Sequence, residues 1–254
     1  MPPSKLCPPE RLQKRPLPEI QIRPDDVFIV SYPRSGNTWV RFLLANLLAP
    51  NERITFRNID NYVPSIYKRA ASLDVFPSPR YIKSHNPCYD LYPKTIYVYR
   101  DGRDALVSYY YYAMGKKVFS GTFDQFVFSP FIEQFTSWKE HVGSALDFAA
   151  KRPDRILIFP YEEMLVNPMP ALASISAFLG LTSTSEALAS AAEKSSFEQL
   201  QKIEREAGGE TLGKKFTFFR SGRTEQWRDY FGAELYERFL ADNGRLLQRL
   251  GYEL

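Results

Sequence analysis

The chain has 254 residues, 44% hydrophobic and 24% charged, which is enough to bury one sizeable core and is wrong for a disordered protein. A formal charge of +4 is too small a surplus to argue for nucleic acid, although it suits a small anionic ligand where the basic residues converge. Cys7 and Cys88 lie far apart without metal-ligand spacing or a disulfide framework, and there is neither a signal-like h-region nor an 18-residue apolar run; a reducing, cytoplasmic setting with no membrane span is expected.

Residues 1–24 hold seven of the 19 prolines and five basic residues (Lys5, Arg11, Lys14, Arg15 and Arg23). They read as an extended, solvated tail, unable to pack, ahead of a single domain over residues 25–254. Val27-Phe28-Ile29-Val30 is a β-branched apolar run of the kind buried on both faces of a parallel sheet. A turn-rich loop follows, Ser31-Tyr32-Pro33-Arg34-Ser35-Gly36-Asn37, and then an apolar helix from Thr38 to Leu48, ended by Pro50. Further strands are expected at Arg80–Lys83, Thr95–Tyr99 and Arg155–Phe159. Helices are expected after Arg103 through Tyr112, after the fourth strand to about Gly180, and over about 184–204 and 233–250. Alternating strands and helices predict an α/β fold, a central parallel sheet flanked by helices, with its ligand at the carboxyl ends of the strands.

The first loop carries the strongest signal. Gly36 permits close approach of backbone to ligand, and the next helix N-terminus offers N–H groups and a positive dipole end to an anion. Arg34 adds a fixed charge, and Ser35, Asn37 and Thr38 add hydrogen-bonding side chains. A plain βα turn capped by Thr38 is the bland alternative. The Walker A spacing is absent, so the loop is only P-loop-like. Of two histidines, His85 follows a strand carrying Lys83 at the ligand edge, where a group with pKa near 6.5 suits proton abstraction. His141 sits in a helical, mixed-charge stretch and reads as a surface side chain. Arg103 reads as part of an exposed, ion-paired helix start. Tyr109 to Tyr112 read mostly as core, and Phe119, Phe126, Phe128 and Phe131 fit either core or an acceptor pocket.

Tyr32-Pro33-Arg34-Ser35-Gly36-Asn37-Thr38-Trp39 resembles the 5′-phosphosulfate loop of the cytosolic sulfotransferases, usually YPKSGTTW. Five more segments follow in the family's order. Lys83-Ser84-His85 is similar to K-[ST]-H, whose histidine is the family's catalytic base. Arg100 and Ser108 match its 3′-phosphate pair. Tyr161-Glu162 and Ser195-Ser196-Phe197 resemble its adenine contacts. Arg220-Ser221-Gly222 with Trp227 resembles the R-K-G-x-x-G-x-W segment that closes over the 3′-phosphate. The resemblance implies transfer of a sulfuryl group from 3′-phosphoadenylyl sulfate (PAPS) to a hydroxyl or amine, leaving 3′-phosphoadenosine 5′-phosphate (PAP), with no metal. His85, Lys83 and Arg34 take the catalytic roles. Arg34, Ser35, Gly36, Asn37, Thr38, Trp39, Arg100, Ser108, Tyr161, Ser195, Phe197, Arg220, Ser221 and Gly222 take the cofactor, with Trp39 in reach of the purine.

The implied partner is a small, hydrophobic or aromatic acceptor rather than nucleic acid. Arg34 and Ser221 replace family lysines, Glu225 replaces a glycine, and the family's dimer motif is not readable in Arg228 to Glu237, which leaves the oligomer state open. A magnesium-dependent P-loop-like kinase and a non-catalytic nucleotide- or RNA-binding module are the competing readings.

Overall fold

The computed structural model describes residues 15–210 and 216–254; Cys7 and the first fourteen residues of the expected tail lie outside them. The helices are α1 (Asn37–Leu48), α2 (Ile66–Arg69), α3 (Gly102–Lys116), α4 (Phe123–Val127), α5 (Trp138–Lys151), α6 (Tyr161–Val166), α7 (Met169–Leu179), α8 (Ser185–Lys194), α9 (Phe197–Ala207) and α10 (Ala233–Arg249). Four strands, β1 (Val27–Val30), β2 (Tyr81–Ser84), β3 (Lys94–Tyr99) and β4 (Ile156–Pro160), form a parallel sheet in the order β2-β1-β3-β4. Val27 pairs with Tyr81 on one side and Lys94 on the other, and Thr95 pairs with Ile156.

All four residues of β1 are buried because the strand lies inside the sheet with helices on both faces. Val27 and Ile29 pack with α1, α7 and Leu188 of α8, whereas Phe28 and Val30 pack with Ile66, Leu73, Tyr92 and Phe148 of α5. A third cluster joins α3, α4, Trp227 and α10. Arg80 and Asp26 form a fully buried ion pair at the entrance to β1, with Nη2 to Oδ2 at 2.6 Å and Nε to Oδ1 at 2.8 Å, so each charge is satisfied by the other.

Four expectations are corrected here. Residues 15–24 are anchored rather than free: Leu17, Ile20 and Ile22 lie half-buried against the core, and Arg80 donates to the Gln21 carbonyl at 2.6 Å. Composition hid this because three apolar side chains suffice to seat an extended strap. The helix expected over 184–204 is two helices, broken at Ser195-Ser196, where the Ser196 hydroxyl caps α9 by accepting from Gln199 N–H. Arg103 is buried, not exposed. Cys88 is buried and disulfide-bonded, its partner lying outside the described residues, so the expectation of unlinked cysteines does not hold. Among the described residues no helix is long and apolar enough to cross a membrane.

Candidate functional site

The loops leaving β1, β2, β3 and β4 meet at one edge of the sheet around a cavity of about 720 Å³. Gly36 has φ 104°, and a Cβ there would lie 2.8 Å from the Tyr161 ring, so the position needs glycine for both conformation and space. Helix α1 starts at Asn37 without a side-chain cap, and its first backbone bond runs from Val40 N–H to Gly36 C=O at 3.1 Å. The amides of the first turn therefore face the cavity as donors, which removes the reading of a plain turn capped by Thr38. Ser35 lies fully buried behind the loop with its hydroxyl unpartnered. Asn37 bridges β1 and β2 through Nδ2 to the Ile29 and Ser84 carbonyls (3.0 and 3.2 Å), leaving Oδ1 unpartnered.

Arg34 adopts φ 67° and swings its guanidinium over the Phe218 ring, 4.0 Å from its centroid, with Nε donating to Ser108 Oγ at 3.2 Å and Nη2 to the Phe218 carbonyl at 3.0 Å. Burial lowers its pKa from the usual arginine value. Arg100, 5% exposed, lies over Tyr161 at 4.6 Å and donates from Nη2 to the Arg223 carbonyl, while its buried Nε has no partner. An orphaned guanidinium N–H is costly to bury, so the site fits an anion there. Arg220, Ser221 and Gly222 line the same side, and Gly222 (φ 64°) passes against Phe197, where a Cβ would sit 2.8 Å away. Ser221 is approached by Arg223 Nε at 3.4 Å, so an arginine stands beside the place of the missing lysine.

Trp39 and Tyr161 meet edge-to-face at 5.6 Å, and both line the cavity with Phe197. Ser195, expected here, does not line it: its hydroxyl accepts from Asn46 Nδ2 at 3.0 Å, its carbonyl accepts from the Trp39 indole at 2.8 Å, and Ser196 takes the lining position. Ser195 is fully buried and holds Trp39 in place.

His85 and Lys83 sit where β2 runs out into the cavity. His85 Nδ1 lies 2.8 Å from the Ser31 carbonyl, which can only accept, so Nδ1 carries the proton and Nε2 keeps its lone pair. Burial first, and then the Lys83 charge, hold its pKa well below the ordinary histidine value, so the ring is neutral at pH 7. Burial likewise lowers Lys83 to about 8, partly offset by Glu210.

Three functional side chains escaped the sequence reading. His141 is fully buried, not on the surface: Tyr97 donates to its Nδ1 at 2.7 Å, and its Nε2 donates to the His85 carbonyl at 2.8 Å. Burial takes its pKa to about 4, so it stays a neutral prop beneath His85. The signal was available, since Trp138, His141, Val142, Ala145 and Phe148 follow helical spacing on one buried face of α5. Asp104 accepts from Glu225 N–H (2.7 Å) and Trp227 N–H (3.0 Å), fastening the C-terminal segment beside Arg100; Glu225 has φ 57°, which explains the glycine of its relatives. Glu210, held near pKa 2 by the charges of Lys83, Lys116, Lys68 and Arg34 against the opposing effect of burial, accepts from Tyr112 at 3.1 Å and pairs with Lys116 at 3.3 Å.

A helix N-terminus, the unpartnered Nε of Arg100 and a neutral imidazole around one cavity suit an anionic ligand beside a proton acceptor. The chain belongs to the sulfotransferase family: the sulfotransferase domain matches residues 24–251. It is 31% identical to sulfotransferase 1 family member D1 of Mus musculus, over 87% of this chain and 83% of that protein. It is 27% identical to the amine sulfotransferase of Oryctolagus cuniculus, over 88% and 81%. Among solved structures, mouse sulfotransferase SULT7A1 complexed with PAP superposes with TM-score 0.69 at 25% identity, covering 91% of this chain and 90% of that one. Retinol dehydratase in complex with retinol and PAP gives TM-score 0.73 at 23% identity, covering 92% and 84%, a likeness of fold. The chain is thus a sulfotransferase, and nothing favours the kinase reading.

Proposed function

We propose that this chain moves a sulfuryl group from PAPS to a hydroxyl of a small, largely apolar acceptor, with His85 as general base. The observation that carries this is the locked tautomer of His85. The Ser31 carbonyl fixes the proton on Nδ1, leaving Nε2 as a neutral acceptor in the cavity that the α1 N-terminus and Arg100 also line. PAPS supplies the sulfuryl group and a phosphate leaving group.

The first-turn amides of α1 and Arg34 bind the phosphosulfate end; Arg100, Ser221 and Arg220 bind the 3′-phosphate; Trp39, Tyr161 and Phe197 bound the adenine. His85 Nε2 takes the acceptor O–H proton as the acceptor oxygen bonds to sulfur and the sulfur–phosphate oxygen bond breaks. Lys83, charged below about pH 8, stabilises the negative charge that grows on the leaving oxygen. Retinol and androsterone in related structures fit an apolar acceptor here, and Phe131, Phe135, Tyr67 and Tyr109 provide the apolar wall. Cytoplasmic residence rests on the resemblance to cytosolic relatives, while the Cys88 disulfide weighs for an oxidising setting. The test is His85→Asn: PAP affinity stays unchanged while turnover falls about 10²–10⁴-fold. Turnover near wild type overturns the assignment.

A further inference from the structure

The acceptor half of the cavity contains a cation that the reaction does not use. Arg15 comes from the N-terminal strap, yet it lines the same cavity as His85. Its backbone is pinned on both sides: its N–H donates to the Gln134 carbonyl at 3.0 Å, and its carbonyl accepts from Asn86 Nδ2 at 2.8 Å. Asn86 follows His85 directly and accepts from Tyr67 OH at 2.6 Å, and Tyr67 OH in turn accepts from His85 N–H at 2.7 Å. The strap and the expected base are therefore fastened to each other through two side chains.

The guanidinium of Arg15 lies over two rings, 4.5 Å from the Tyr67 centroid and 5.8 Å from that of Phe135. The His85 ring packs on the same pair, at 6.2 and 5.3 Å. Arg15 and His85 thus share one aromatic wall, Tyr67 and Phe135. Among the described residues no carboxylate pairs with Arg15. The cavity's other charges do not reverse the balance. Glu210 already engages Tyr112 and Lys116, and Glu198 stands next to Phe197 at the adenine side.

We infer that Arg15 recognises an anionic group on the acceptor, so that the enzyme prefers hydroxylated aromatic acids over their neutral counterparts. This rests on the sulfotransferase reading of the same cavity. An aromatic wall takes the acceptor ring, His85 meets its hydroxyl, and the guanidinium fork meets its carboxylate at the mouth. Because Arg15 is exposed, water screens part of the attraction, and the preference is set at about tenfold in dissociation constant rather than the hundredfold of a buried pair.

The test measures binding of 4-hydroxybenzoate and of 4-hydroxybenzamide to the enzyme saturated with PAP, for wild type, Arg15→Gln and Arg15→Lys. PAP affinity is recorded for each protein first. A protein that fails to bind PAP counts against the sulfotransferase reading, and so also against this inference. With PAP bound by all three, the expected result is about tenfold tighter binding of the acid by wild type, loss of that preference in Arg15→Gln, and partial recovery in Arg15→Lys. Equal binding of acid and amide by wild type, binding of neither, or a preference that survives Arg15→Gln overturns the inference and leaves the transferase reading intact.

Discussion

Arg100 and Arg103 flank the N-cap of α3, Asp101, and the structure gives them different duties. Arg103 donates from Nη2 and Nε to the Asp101 carboxylate at 2.7 to 3.2 Å, reaches Tyr236 OH at 3.2 Å, and lies 3.8 Å over the Trp227 ring. Arg103→Ala leaves the buried Asp101 carboxylate without its cation, a loss of about 3–5 kcal/mol for a broken buried pair. For a chain of this size that lowers Tm by roughly 6–20 °C, at about 2–4 °C per kcal/mol. Arg100 pairs more loosely, with Asp104 at 3.5 Å, and keeps a buried Nε without a partner in the cavity. Arg100→Ala removes a charged hydrogen bond to the ligand, about 1.5–3 kcal/mol, or roughly one to two decades in PAP affinity. Thermal unfolding and PAP calorimetry on both variants make the comparison. If Arg103→Ala melts within 2 °C (roughly 0.5–1 kcal/mol) of wild type, or Arg100→Ala binds PAP as tightly as wild type, the division of labour is wrong.

Two further outcomes follow from the titrating groups beneath the cavity. Lys83 titrates near 8 in the ligand-free protein because burial disfavours its charge, whereas a bound anion favours it. PAP affinity is therefore full below about pH 8 and weakens above it, by at most about tenfold per pH unit, as binding must take up a proton; Lys83→Met flattens that step in calorimetry, and a slope that persists in the variant contradicts it. His141→Asn removes the prop under the His85 carbonyl and lowers kcat about tenfold or more with PAP affinity unchanged, while Tyr97→Phe has a smaller effect in the same direction; parallel losses of kcat and PAP affinity instead mark a general packing defect.

The sheet was legible because its strands are short runs of apolar and aromatic residues, each followed by a polar loop, and all four lie where those runs predict them. The first loop was legible because Arg34 and Gly36 stand between a buried strand and an apolar helix, and because its eight residues resemble a family motif. What escaped was decided by tertiary packing. Lys139 and Glu140 disguised His141 as a surface residue, although its place in the apolar stripe of α5 pointed inward. Prolines disguised the strap, where Leu17, Ile20 and Ile22 pack against a core built from residues far away in sequence. Spacing to Ser108 singled out Arg100, but the burial of Arg103 follows only from the folded positions of Asp101, Trp227 and Tyr236. Ser195 and Ser196 are chemically alike, and the break between α8 and α9 decides which one lines the cavity.

The central claim is transfer of a sulfuryl group at this cavity. The most direct measurement follows sulfur-labelled PAPS with a phenolic acceptor in EDTA, quantifying sulfated phenol and PAP together. The account predicts equal amounts of both products, dependent on His85 and on acceptor concentration. PAPS consumed without sulfated phenol, or no turnover until a divalent cation is restored, contradicts it.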